Sequence, residues 1–160
     1  MFSISCGGLS KGTTIKVMSK GPYNPQVVGD STCVKNTNEA LALLKNLAPS
    51  YYNIVAQYTS KINCKSEWSA PSVFVSSGAT TEALIKTNPP EMNVYKSLWS
   101  LWGKPYGNIN YVYHNGNIYW AGGTHYAAAL VHEAIHLKQY ADYMWANPYT
   151  PEILIPTNME

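Results

Sequence analysis

The chain has 160 residues and a net charge of +2, and its length predicts a single domain spanning residues 1–160. Charged residues make up 12% of the chain, about half of the roughly 25% usual in soluble domains, so Asn, Ser, Thr and Tyr must supply the polar surface. All 11 basic residues are lysines. Because arginine provides most bidentate contacts to bases and phosphates, this composition argues against a nucleic-acid-binding protein.

The three cysteines, Cys6, Cys33 and Cys64, permit one disulfide, and the sequence does not specify which pair forms it. No two of them have C-x-x-C spacing, which argues against a thiolate zinc cluster. No signal peptide is visible in the first ten residues, and no window is apolar enough to predict a membrane span. The low charge favours a secreted or delivered protein but assigns no localisation.

Short strands and helices are expected in the first two thirds of the chain. Residues 14–18 and 71–75 are strand candidates. One helix is expected to start near Asn36, and a second to run over about 50–62. Pro89-Pro90-Glu91 should open a third helix. The apolar residues at helical spacing in these segments are interpreted as core: Tyr51, Ile54, Val55, Tyr58, Val94, Leu98, Leu101 and Trp102.

Residues 108–121 carry the clearest β pattern, since apolar and polar side chains alternate there. Asn115-Gly116 at the centre predicts a type I′ turn and therefore a hairpin. The two glycines that follow should end the hairpin, and Thr124 should cap a helix that runs to about Trp145. The predicted fold class is α+β, a small antiparallel sheet with a hairpin packed against several helices.

The predicted helix contains the motif H-E-x-x-H, formed by His132, Glu133 and His136. Residues four apart lie one turn above each other, so both imidazoles project from one face and can bind one Zn²⁺. Glu133 is offset from that line and can act as the general base that takes a proton from a zinc-bound water. No proline or glycine interrupts the helix after Thr124, which strengthens the prediction of a zinc site.

Over residues 108–145 the sequence resembles the zincins, the H-E-x-x-H metallopeptidases, with a gluzincin-like arrangement. The resemblance implies a zincin-like active-site helix, a zinc cofactor and a peptide or protein substrate. It also implies that the strand before this helix, here at 117–121, lies at the edge of the cleft and pairs with extended substrate. Lys138 departs from the extended family pattern, which prefers an apolar residue there.

A catalytic zinc normally has a third protein ligand, and several residues are candidates. Glu160 is preferred, because gluzincins use a glutamate about two dozen residues downstream of the motif, and Glu152 is an alternative. Since Glu160 is the last residue, that assignment requires a chain that continues further or an unusual site. Asp142 fits the metzincin spacing, but the glycine of that pattern is replaced by Gln139. His125 is the least favoured alternative.

The motif therefore predicts a zinc-dependent hydrolase, specifically a metallopeptidase that uses Glu133-activated water. Two alternatives remain open. One is a catalytically inactive zinc-binding interaction domain, which the uncertain third ligand and the abundant aromatic residues favour. The other is a toxin or effector hydrolase released from a larger polypeptide.

Overall fold

The structure is a computed structural model that describes residues 2–4, 15–17, 19–66, 81–84 and 87–146. The predicted α+β class is confirmed. The strands are β1 (Phe2–Ile4), β2 (Ile15–Val17), β3 (Gln26–Gly29), β4 (Lys61–Lys65), β5 (Thr81–Leu84), β6 (Glu91–Tyr95), β7 (Tyr111–His114) and β8 (Asn117–Trp120). The helices are α1 (Ser31–Leu47), α2 (Pro49–Tyr58), α3 (Lys96–Trp99) and α4 (Ala121–Ala146).

The central sheet has four strands in the order β3-β4-β6-β5. Strands β3, β4 and β6 are parallel, and β5 lies antiparallel to β6 at one edge. Helices α1 and α2 provide the crossover between β3 and β4, as parallel neighbours require. Two antiparallel pairs, β1-β2 and β7-β8, form separate small sheets. The parallel pairing of the central sheet is a feature that the sequence pattern did not predict.

The first two helices differ in their bounds from the prediction. Helix α1 begins at Ser31, several residues before Asn36, because the Asp30 carboxylate accepts hydrogen bonds from the backbone N–H groups of Thr32 and Cys33 at 2.9 and 3.1 Å. Helix α2 begins at Pro49, whose fixed φ suits a first helical position. It ends at Tyr58, earlier than predicted, and the chain becomes extended.

Two segments predicted as helical belong to the central sheet instead. Ile62 and Cys64 are buried on one face of β4, and Met92 and Val94 are buried on the same face of β6. Strand β6 is paired on both sides, so tertiary pairing decides its conformation over the local Pro-Pro-Glu signal. The predicted third helix is reduced to α3, in which Leu98 is buried as expected.

The core lies between the central sheet and helices α1, α2 and α4. Its largest fully buried side chains are Tyr126, Ile62, Met92, Leu98, Leu130 and Leu137. A disulfide joins Cys33 at the start of α1 to Cys64 in β4. The hydroxyl of Thr37, 3.6 Å from the Cys33 sulfur, is hydrogen-bonded to the hydroxyl of Tyr126. The disulfide, α1 and α4 therefore meet at one buried point.

The β7-β8 hairpin confirms the predicted turn. Asn115 and Gly116 both have positive φ, 48° and 76°, as a type I′ turn requires, and His114 pairs with Asn117 across it. In the described part of the chain, no helix is long and apolar enough to cross a membrane.

The start of α4 differs from the prediction, because both glycines lie inside the helix and Thr124 is not its cap. Gly122 donates its N–H to the carbonyl of Lys104 at 2.8 Å, so the helix start lies against the preceding loop. A Cβ at position 122 would collide with the backbone oxygens of Leu101 and Lys104. The glycine is therefore required for close packing and not for a turn.

We expect Gly122→Ala to lower the free energy of unfolding by about 1–3 kcal/mol, since backbone must move to admit the methyl group. Urea denaturation measures this loss. Gly123→Ala is the matched control, because its Cβ would meet only the side-chain ring of Trp102 at 3.2 Å. An unchanged midpoint for Gly122→Ala, or an equal loss in both variants, would contradict this account of the packing.

Candidate functional site

The two motif histidines lie together on the outer side of α4. The Nε2 atoms of His132 and His136 are 3.0 Å apart, and their rings stand nearly perpendicular, at 86°. Two nitrogens bound to one zinc at 2.0–2.1 Å in tetrahedral geometry lie about 3.3 Å apart. A small side-chain rotation would therefore fit this pair to a zinc ion, and solvent reaches the pair because His132 is exposed and His136 is half-buried.

A neighbouring amide contacts the ring of His136. The Nδ1 of His136 lies 3.2 Å from Oε1 of Gln139. Because an amide oxygen only accepts hydrogen bonds, this contact favours the tautomer with the hydrogen on Nδ1, in which Nε2 keeps the lone pair that a metal needs. Gln139, which the sequence analysis considered only as a departure from the metzincin pattern, thus contacts one predicted ligand.

The side chain of Glu133 points away from the histidine pair and towards β5 of the central sheet. It follows His132 by one residue, which turns it about 100° around the helix. Its side chain is buried, and one carboxylate oxygen, Oε1, accepts a 2.6 Å hydrogen bond from the hydroxyl of Thr81 in β5. Within the described residues, Thr81 is the only hydrogen-bond donor to this carboxylate.

The strand beside the motif is β5, not the predicted strand at 117–121. Strand β8 ends where α4 begins, about 16 Å along the helix axis from His132. Strand β5 contacts Glu133 directly and, among the described strands, pairs only with β6. Among the described strands, β5 is therefore the edge strand that lies next to Glu133.

In the described part of the chain, no three His, Cys, Asp or Glu side chains are grouped to hold a metal, so no third ligand joins the histidine pair there. Asp142 is excluded by geometry: α4 continues unbroken past Gln139, and the Asp142 carboxylate is paired with Lys138. The preferred ligand, Glu160, and the alternative, Glu152, both lie outside the described residues.

His125 is also separated from the histidine pair, although it lies on nearly the same face of α4. It precedes His132 by two turns, about 10 Å along the axis. Its ring stacks on Tyr106 with centroids 3.8 Å apart, and burial lowers the pKa of His125. The structure therefore gives His125 a packing role.

The described site thus combines the histidine pair, a buried glutamate held by a threonine, and the edge of a β-sheet. Sequence reasoning found the three motif residues but missed Thr81, for which no local signal exists. No protein-family model, curated protein sequence or solved structure shows a significant match to this chain.

Proposed function

We propose that this protein is a zinc metallopeptidase in which His132 and His136 bind Zn²⁺ and Glu133 is the general base. The observation that carries the proposal is the 3.0 Å approach of the two Nε2 atoms beside a buried, oriented carboxylate. A zinc ion held there supplies Lewis-acid polarisation and a lowered pKa for a water. Glu160 is retained as the proposed third ligand, on the zincin resemblance alone.

Glu133 has the chemistry for proton transfer in peptide hydrolysis. Its fixed carboxylate accepts a proton from the attacking water and returns it to the leaving amine. The hydrogen bond from Thr81 restricts the rotation of this carboxylate. Because a neighbouring hydroxyl already holds the carboxylate in one orientation, less entropy is lost when the transition state forms.

A peptide is the substrate that best fits the edge of β5. Extended peptides add to exposed sheet edges through main-chain hydrogen bonds, which need no particular side chains. A peptide paired with β5 would pass Glu133, because Thr81 belongs to that strand. This arrangement replaces the expectation that the strand at 117–121 binds substrate.

A second candidate function is a zinc-binding interaction domain without catalysis. The observation that favours it is a group of exposed, large apolar side chains on and next to the hairpin, of a kind that often marks a binding surface. They are Tyr106, Ile109, Tyr111, Val112, Tyr113, Ile118 and Trp120. Full zinc occupancy without cleavage of any member of a peptide library would favour this function.

The zinc content of the purified protein tests the metal site directly. We expect about one zinc per chain by mass spectrometry of protein prepared without chelators. His132→Ala should lose this zinc, because a site with one histidine removed binds metal far more weakly.

The matched control is His114→Ala, which removes an exposed histidine of the hairpin far from the motif and should keep the zinc. Wild-type protein that takes up no zinc when zinc is supplied would overturn the proposed function. So would an equal loss of zinc in the two variants.

A further inference from the structure

An apolar groove opens between α4 and the junction of α1 with α2. The apolar groove is the cavity of about 280 Å³ that is lined chiefly by Leu43, Leu44 and Leu47 of α1, Tyr51 of α2, and Ala128 and Val131 of α4. Leu47 and Tyr51 at its rim are 36% and 53% exposed, so the groove is open to solvent. A contiguous apolar surface of this kind often marks a binding site.

The lining is almost entirely apolar. It contains no charged residue, and the hydroxyl of Thr124, which also lines the groove, is donated to the carbonyl of Ala121 at 2.9 Å. The tyrosine at the rim is the other lining residue with a hydroxyl. The groove therefore selects for apolar groups, and its volume fits one or two large side chains better than an extended ligand.

The groove adjoins the histidine pair. Val131 directly precedes His132, and Ala128 lies one turn before it on the same line of the helix, about 6 Å away along the axis. An extended peptide advances about 3.3 Å per residue, so a residue two or three positions from a bond near His132 can reach the groove. The groove and β5 lie on opposite sides of the histidine pair.

We propose that the apolar groove binds a large apolar side chain of the peptide substrate, such as Leu or Phe, a few residues from the cleaved bond. The proposal rests on the proposed peptidase function and adds the substrate class. Burying one such side chain contributes to binding through the hydrophobic effect, while β5 contributes main-chain hydrogen bonds without selectivity. The groove is then the element that makes the enzyme selective.

Binding is tested separately from cleavage, with Glu133→Gln protein and capped octapeptides of Gly and Ser that carry one Phe or none. We expect the Phe peptide to shift the NMR methyl signals of Leu43, Leu47 and Val131 on titration. Ala128→Phe, which fills the mouth of the groove, should weaken this binding at least about tenfold, the effect of losing roughly one buried side chain. Ala42→Phe is the matched control, an exposed alanine of α1 outside the groove.

In active protein, Ala128→Phe should shift cleavage of a peptide library away from sequences with large apolar residues while zinc content stays unchanged. Equal binding of the Phe and Phe-free peptides, or equal effects of Ala128→Phe and Ala42→Phe, would overturn the proposal. Self-association of wild-type protein that only Ala128→Phe abolishes would assign the groove to a second copy instead. If the protein binds the Phe peptide selectively but holds no zinc, both the role of the groove in substrate binding and the proposed function are overturned. If it cleaves peptides with zinc but without preference for large apolar residues, only the proposal for the groove is overturned.

Discussion

Glu133→Gln is expected to lower the rate of peptide hydrolysis by about 10²–10⁴-fold, the usual contribution of a general base, while zinc content stays at the wild-type level. Glutamine has the same shape, and its amide oxygen can still accept the hydrogen bond from Thr81. The variant should therefore fold normally. What it loses is the ability to take a proton, which is the role proposed for Glu133.

The comparison is made on kcat with a peptide that the wild-type enzyme cleaves, and zinc is measured on the same samples. Glu39→Gln serves as the control, because it removes one negative charge from the surface of α1, where Glu39 is paired with Lys35. Its kcat should equal that of wild type. A Glu133→Gln protein that retained half of the wild-type kcat would exclude Glu133 as the general base.

Two arrangements that depend on local sequence were predicted correctly, the proximity of His132 to His136 and the hairpin turn. Helix spacing alone brings His132 and His136 together, and the Asn115-Gly116 dipeptide alone specifies the hairpin turn. Thr81 could not be found in this way, because it lies 52 positions from Glu133 and only the packing of β5 on α4 joins them. Long-range contacts of a single hydroxyl leave no periodic pattern in a sequence.

The fold class was predictable, but the central sheet was not. Strands β4 and β6 are short and carry helix-like neighbours, and their extended conformation depends on pairing with each other and with β3 and β5. Glu91 shows the conflict most clearly: it follows two prolines, a helix-start signal, yet lies in a strand paired on both sides. Tertiary pairing therefore decided the elements for which local signals were weak or misleading.

Removing the disulfide, which the sequence left unassigned, should lower the free energy of unfolding by about 3–4 kcal/mol. Cys33 and Cys64 are separated by 31 residues, and a cross-link over such a loop reduces the entropy of the unfolded chain by this amount. Both cysteines are buried in the core, at 0% and 9% exposure, so alanine is the appropriate replacement at each position. For a chain of this size the loss corresponds to a melting temperature lower by roughly 10 °C.

The Cys33→Ala/Cys64→Ala variant and wild type are compared by urea denaturation with and without dithiothreitol. Reductant should lower the stability of wild type towards that of the variant and leave the variant unchanged. Because Thr37 links the disulfide region to Tyr126 of α4, the variant should also show increased hydrogen exchange in α4 near Tyr126. A wild-type urea midpoint that does not change with the reductant would show that this disulfide does not stabilise the fold. In that case the core between α1 and β4 would hold α4 in place by packing alone.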